Sequence, residues 1–108
     1  MMELRDRTAI VTGAGAGLGR CHALALARLG ARIVVNDMDG ESAERVAGEI
    51  TAAGGAAIAA AGSVTDEGKV AEMVARAMAS FGRIDILINN AGILRDKSFA
   101  KMDLADFR

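Results

Sequence analysis

The sequence predicts an α/β domain built on a doubly wound parallel sheet. Short apolar runs alternate with amphipathic stretches along the whole chain. A glycine-rich turn joins the first apolar run to the first amphipathic stretch. The apolar share is 52%, yet the chain has 13 Gly, three Phe and no Trp, Tyr or Pro, so small residues make the contacts. Close helix-on-sheet packing suits such a composition, whereas a β-sandwich wants more aromatics and turn prolines.

The first strand is expected over Thr8–Thr12 and the second over Arg32–Asn36, with Ile33, Val34 and Val35 at its centre. A third, weak because alanine is a poor strand former, is expected over Ala56–Ala60. The fourth is expected over Ile84–Asn89, with Ile84, Ile86 and Ile88 on one face and Leu87 on the other. Unbroken apolar runs of this length suit parallel strands covered on both sides.

Three helices separate them. The first is expected from Gly17 to Leu29, closed by Gly30 as a left-handed terminator. The second begins near Asp39 or Gly40, carries Ala43, Val46, Ala47, Ile50 and Ala53 on one face, and ends at Gly54-Gly55. The third starts with Thr65 as N-cap, followed by Asp66 and Glu67, whose charges favour a helix N-terminus. Its stripe is Val70, Met73, Val74, Ala77 and Phe81, and Gly82 ends it. Spacings of three and four residues lay such a stripe on a sheet, and its methionines read as core filler. Asp103 to Arg108 resemble the first turn of a fourth helix.

Composition narrows the function. With a formal net charge of −1 and no basic run, nucleic acid and anionic membrane surfaces are not expected partners. The longest unbroken apolar run, Ala56 to Ala61, falls far short of the ~20 residues a membrane helix needs. One cysteine, Cys21, makes no internal disulfide and is expected to pack as a small apolar residue; with no signal core, cytoplasmic residence is expected. His22 beside it reads as a helix-flank residue. No metal-ligand cluster is discernible.

Three segments carry chemistry. Thr12-Gly13-Ala14-Gly15-Ala16-Gly17-Leu18-Gly19 lies between the first strand and the first helix. Glycines there let the backbone turn tightly and approach a pyrophosphate at the helix N-terminus. The spacing is T-G-x-x-x-G-x-G rather than G-x-G-x-x-G, since Leu18 stands where the third glycine would fall. Asp37, at the end of the second strand, follows the loop near the ~20-residue interval expected for an acid on the adenosine ribose. Asp37 or Asp39 could equally cap the second helix. A carboxylate at the ribose repels a 2′-phosphate, and Ala16 and Met38 supply no base to meet one, so NAD rather than NADP is the expected cofactor. Asn89-Asn90-Ala91-Gly92 ends the fourth strand. In a sheet of order 3-2-1-4 this segment and the glycine loop flank the crevice where the onward connections diverge.

T-G-A-G-A-G-L-G, the acid at Asp37 and N-N-A-G at Asn89, in this order and spacing, resemble the short-chain dehydrogenase/reductase family over nearly the whole chain. The segment Gly82-Arg83-Ile84-Asp85-Ile86-Leu87-Ile88 just before N-N-A-G adds to the likeness. The resemblance implies a Rossmann-like fold in which Gly13, Gly17, Leu18 and Gly19 meet the cofactor diphosphate and Asp37 the adenosine ribose. It implies that Asn90, Ala91 and Gly92 flank the nicotinamide-side ribose. Where the family usually has an Asp reading the adenine amino group, this chain has Ser63 before Val64; a hydroxyl accepts that bond more weakly than a carboxylate. The Val64 backbone keeps its family place.

The run from Gly92 to Phe99 resembles members acting on 3-hydroxyacyl or 3-oxoacyl thioesters, including the peroxisomal multifunctional type and the 3-oxoacyl carrier-protein reductases. Arg95 and Lys97 could meet an anionic carrier, although loop charges are usually just solvated. Family catalysis rests on Tyr in Y-x-x-x-K with a Ser and an Asn. The chain has no Tyr, and Ser98 is not in the catalytic serine's place, so no catalytic residue is assigned. Residues 1–108 are therefore expected to be the NAD-binding half of an oxidoreductase acting on a secondary alcohol or ketone, cut after the fourth strand and inactive alone. The other reading is an inactive nucleotide-binding or interaction module. Expected partners are NAD, an alcohol, ketone or acyl-thioester substrate, and further copies of the chain or the missing C-terminal half.

Overall fold

The computed structural model describes residues 3–90. Four strands and three helices alternate: β1 (Thr8–Val11), α1 (Gly17–Arg28), β2 (Arg32–Asp37), α2 (Gly40–Ala52), β3 (Ala57–Ala61), α3 (Glu67–Phe81) and β4 (Ile86–Ile88). All pair in parallel in the order β3-β2-β1-β4. Ile10 sits opposite Val34 and Leu87, and Val34 opposite Ile58.

This order follows from the handedness of the crossovers. Successive right-handed connections through α1 and α2 lay both helices on one face, and the return through α3 to the far side of β1 lays that helix on the other. Strand alternation then sorts the core into two layers. Ala9, Val11, Ile33, Val35 and Ala59 pack with Ala23, Val46 and Ile50 under α1 and α2. Ile10, Val34 and Ala60 pack with Met73 and Ala77 under α3. Alanines in β3 and along the helices let the layers approach closely, as the scarcity of aromatics implied.

Several ends differ from the sequence expectation. Asp66, not Thr65, caps α3, its carboxylate accepting from the Lys69 N–H at 3.1 Å. Thr65 is held by Ser63 instead: its N–H donates to Ser63 Oγ at 3.1 Å and the two hydroxyls bond at 2.7 Å. Gly30 adopts the expected left-handed backbone, and Gly82, which ends α3 as expected, adopts it too. Cys21 is exposed rather than packed, because Ala23, Leu24 and Leu26 take the inward positions of α1. Ala53 lies past the end of α2 and is exposed.

β4 is shorter than expected, and Ile84 does not share a face with Ile86 and Ile88. Ile84 packs under α3, while Ile86 and Ile88 face the α1–α2 layer. Asp85 explains the shortened start. Its backbone N–H donates to the Thr8 carbonyl at 2.9 Å, and its carboxylate accepts from the Thr8 N–H at 2.9 Å and from the Arg83 guanidinium at 2.7–3.1 Å. A side chain has replaced the next rung of the ladder. At the opposite edge of the sheet, Arg76 reaches from α3 to the Ala59 carbonyl, and Arg20 of α1 is paired with Glu49 of α2.

The Arg83 guanidinium holds the Asp85 carboxyl below the usual carboxylate range, helped by the Thr8 N–H and opposed by partial burial. Its folded pKa is thus depressed, so its stabilisation is present above the unfolded value of about 3.9 and is lost as pH falls through the folded one. The variant Asp85→Asn is expected to unfold at lower denaturant than the parent at pH 7. That difference should close below about pH 4; a difference that stays constant across the titration would refute the role given to the charge.

Candidate functional site

The site lies at the carboxyl ends of β1, β2 and β3, on both sides of Gly13. Gly13 and Gly17 take positive φ, 60° and 57°, which glycine adopts without strain. The turn folds back so tightly that a methyl group at Gly19 would overlap the Gly13 carbonyl oxygen and stand 2.7 Å from Asn90 Nδ2. Gly19 therefore has a structural reason to be glycine: α1 starts against the backbone of the turn and the end of β4.

The N-terminus of α1 differs from the other two. Asp39 caps α2 by accepting from the N–H groups of Glu41 and Ser42, and Asp66 caps α3. The Asp39 carboxyl is held below its usual range, chiefly by the Ser42 hydroxyl. At α1 the N-cap is Ala16, with no side-chain cap and no acid in the first turn. A helix N-terminus carries about half a positive charge, and here no side chain of its own covers it. Leu18, 65% exposed, stands on that first turn.

Thr12 and Asn90 join the turn to β4. The Thr12 N–H donates to the Ile88 carbonyl at 3.0 Å, extending the β1 ladder by one residue. The Thr12 hydroxyl donates toward Asn89 Oδ1 at 3.1 Å and accepts from the Asn90 N–H at 2.9 Å. Asn90 Nδ2 makes a longer contact, 3.5 Å, to the Gly13 carbonyl.

On the other side of Gly13 a cavity of about 340 Å³ opens, lined by Gly13, Asn36, Asp37, Met38, Gly62, Ser63, Val64 and Thr65. Asn36 sets its shape. This buried amide donates to the carbonyls of Ala60 at 3.0 Å and Gly62 at 3.1 Å, pinning the exit of β3 to β2. Asp37 is freed from capping by Asp39. It accepts from the Gly15 N–H at 2.9 Å through Oδ2 and from the Asp39 N–H at 3.0 Å through Oδ1. A carboxylate offers about four acceptor positions, so each oxygen keeps capacity for one more donor.

The structure thus brings Gly13, Asp37, Ser63 and Val64 to one cavity, while Gly17, Leu18, Gly19 and Asn90 lie on the other side of the turn. Ala91, Gly92, Arg95, Lys97, Ser98 and the expected turn at 103–108 lie outside the described residues. Sequence reasoning gave Asn36 no role, read Thr12 only as the head of the glycine motif and Thr65 only as a helix cap, and read Met38 only for the base it lacks. Asn36 left a signal: an amide inside an apolar strand must find partners when buried. Among the described residues no group of acids, His and Cys could hold a metal, and no helix is long and apolar enough to cross a membrane.

A parallel, doubly wound sheet with a glycine turn at its switch point and an acid closing the second strand defines a Rossmann-like domain. The family model described as short chain dehydrogenase matches residues 7–108. The chain is 46% identical to the peroxisomal hydratase-dehydrogenase-epimerase of Saccharomyces cerevisiae, over 98% of its own length and 13% of that protein's. It is 41% identical to a 3-oxoacyl-[acyl-carrier-protein] reductase of Synechocystis, over 100% of its length and 44% of that protein's. A solved 7α-hydroxysteroid dehydrogenase, complexed with NADH and 7-oxo glycochenodeoxycholic acid, superposes with a TM-score of 0.81 at 35% identity, covering 97% of this chain and 41% of that one. The chain belongs to the short-chain dehydrogenase family, and it spans less than half the length of these relatives.

Because Gly19 meets backbone rather than a movable side chain, Gly19→Ala should lower stability by about 1–3 kcal/mol, the scale of overpacking. The loss should be read as a lower midpoint in chemical unfolding. A variant as stable as the parent would show that the turn and α1 are less tightly opposed than described.

Proposed function

We propose that this chain is the NAD-binding half of an oxidoreductase acting on a secondary alcohol or ketone. The observation that carries the reading is the Asp37 carboxylate at the mouth of the cavity, with one acceptor position left on each oxygen. Two vicinal ribose hydroxyls match those positions, and a 2′-phosphate would meet negative charge with no base at Ala16 or Met38 to offset it. The cavity takes the adenine between Met38 and the Ser63–Val64 segment. Ser63 can accept from the adenine amino group when its own hydroxyl donates to Thr65. The diphosphate lies across Gly13, Gly17, Leu18 and Gly19 at the uncapped start of α1. Asn90, with Ala91 and Gly92, flanks the nicotinamide-side ribose.

Bound NAD supplies the hydride acceptor. These 108 residues orient it and hold the acid that selects it, but they contain no tyrosine to move the substrate proton. A 3-hydroxyacyl thioester, or the 3-oxoacyl ketone related to it by hydride transfer, is the proposed substrate class, supported by the 3-oxoacyl group named for the Synechocystis relative and by the run from Gly92 to Phe99. The partner supplying the remaining machinery is a C-terminal half, since a further copy of these residues would bring no tyrosine either. Cytoplasmic residence is proposed from the solitary cysteine, and the name of the yeast relative marks the peroxisome as the alternative.

Calorimetry on the purified chain should show NAD binding more tightly than NADP. Asp37→Ala should cost NAD about 1.5–3 kcal/mol, the scale of hydrogen bonds to a charged group. Equal affinity for the two dinucleotides would sink the assignment of Asp37. Incubation of the 108-residue chain with NAD and a panel of secondary alcohols should yield no reduced cofactor, and turnover surviving re-purification would overturn the division of labour.

A further inference from the structure

Met38 is an apolar side chain of the cavity that stands open to solvent, with 77% of its surface exposed. It sits directly after Asp37, past the end of β2, and forms part of the cavity wall together with Val64 and Gly62. Met73, by contrast, is 2% exposed in the layer under α3, and Met78 is half-buried on the same helix. Among the described residues, then, one methionine is freely accessible to a solute, and it stands at the mouth of the proposed nucleotide cavity.

A thioether so exposed reacts readily with hydroperoxides. With hydrogen peroxide, the sulfur donates an electron pair to one oxygen, the O–O bond breaks, and the leaving hydroxide takes up that oxygen's proton to become water. The sulfur is oxidised to a sulfoxide and the peroxide reduced. The product replaces a soft, apolar, polarisable wall with a strongly polar S–O group. A purine face gains from contact with a thioether, whereas a sulfoxide must shed its hydration to make the same contact.

We propose that Met38 is a peroxide modification site, oxidation of which weakens dinucleotide binding and which bound dinucleotide in turn shields. The inference rests on the placement of the adenine proposed above. Both halves rest on one contact: an adenine lying on the thioether prefers that form and covers the sulfur from peroxide.

The test uses a Cys21→Ser background, since that exposed thiol lies on α1 away from the cavity and would otherwise consume oxidant. The chain is treated with hydrogen peroxide with and without saturating NAD, then mapped by peptide mass spectrometry. NAD affinity is measured before and after. Met38 should gain one oxygen before Met73 or Met78, and more slowly with NAD present. Its oxidation should weaken NAD binding by about fivefold, or about 1 kcal/mol, the range of a thioether–aromatic contact. Met38→Leu, compared with itself before and after treatment, should lose no affinity.

Three results would overturn the proposal. They are unchanged NAD affinity at full Met38 oxidation, an equal loss in Met38→Leu, and oxidation of Met38 at the same rate with and without NAD. A failure of the untreated chain to bind NAD at all would instead overturn the functional reading on which the proposal stands.

Discussion

The rest of the structure depends on the contact between Gly19 and the Gly13 carbonyl. The glycine turn has to fold back on itself so that α1 begins against the backbone of the turn, and no side chain fits between them. Thr12 and Asn90 then tie that same point to the end of β4, and Asp37 ties Gly15 to the end of β2. Three strands thus converge on one short loop through backbone N–H groups and the polar side chains of Thr12, Asp37, Asn89 and Asn90. The arrangement leaves the start of α1 without a cap of its own and leaves an acid with acceptor capacity to spare. Both are costs in an empty protein, and both become complementary to an anionic diphosphate and a diol.

The strand order, the layering of the helices and most of the buried faces of α2 and α3 were legible in the sequence. They follow from periodicity and crossover handedness, which depend on neighbouring residues. Ile33, Val34 and Val35 read as a central strand because each is apolar whichever face it meets. The ends were less legible, because they are decided by which of several polar residues wins a hydrogen bond. Thr65 and Asp66 are both competent caps, and only the position of Ser63, itself set by β3, diverts Thr65. Ile84 looked like part of β4 until Asp85 turned its carboxylate onto Thr8.

The candidate site was legible as motif and opaque as geometry. Gly13, Gly17, Gly19 and Asp37 stand out from the sequence because few other reasons place glycines and an acid at those intervals. Thr12 does not, and Asn36 stands out only as an amide in an apolar strand, since their partners, Gly62 and Asn90, lie far along the chain. The choice between Asp37 and Asp39 as the helix cap also required coordinates. Two carboxylates two residues apart are equivalent on paper, and the turn into α2 makes them unequal.

The tie between Asp85 and Thr8 spans 77 residues of chain, and that separation has a kinetic meaning. Ile10 pairs with Val34, and Val34 with Ile58, across 24 residues each (34 − 10 and 58 − 34). Ile10 pairs with Leu87 across 77 (87 − 10). Loop-closure entropy grows with the logarithm of separation, which sets β4 behind the other pairings by about 1 kcal/mol. Such a tilt favours a path in which β1, β2 and β3 assemble around α1 and α2 before β4 docks. The polar joint at Thr12 and Asn90 then closes with it, so the half of the cleft facing β4 is completed after the half facing β2.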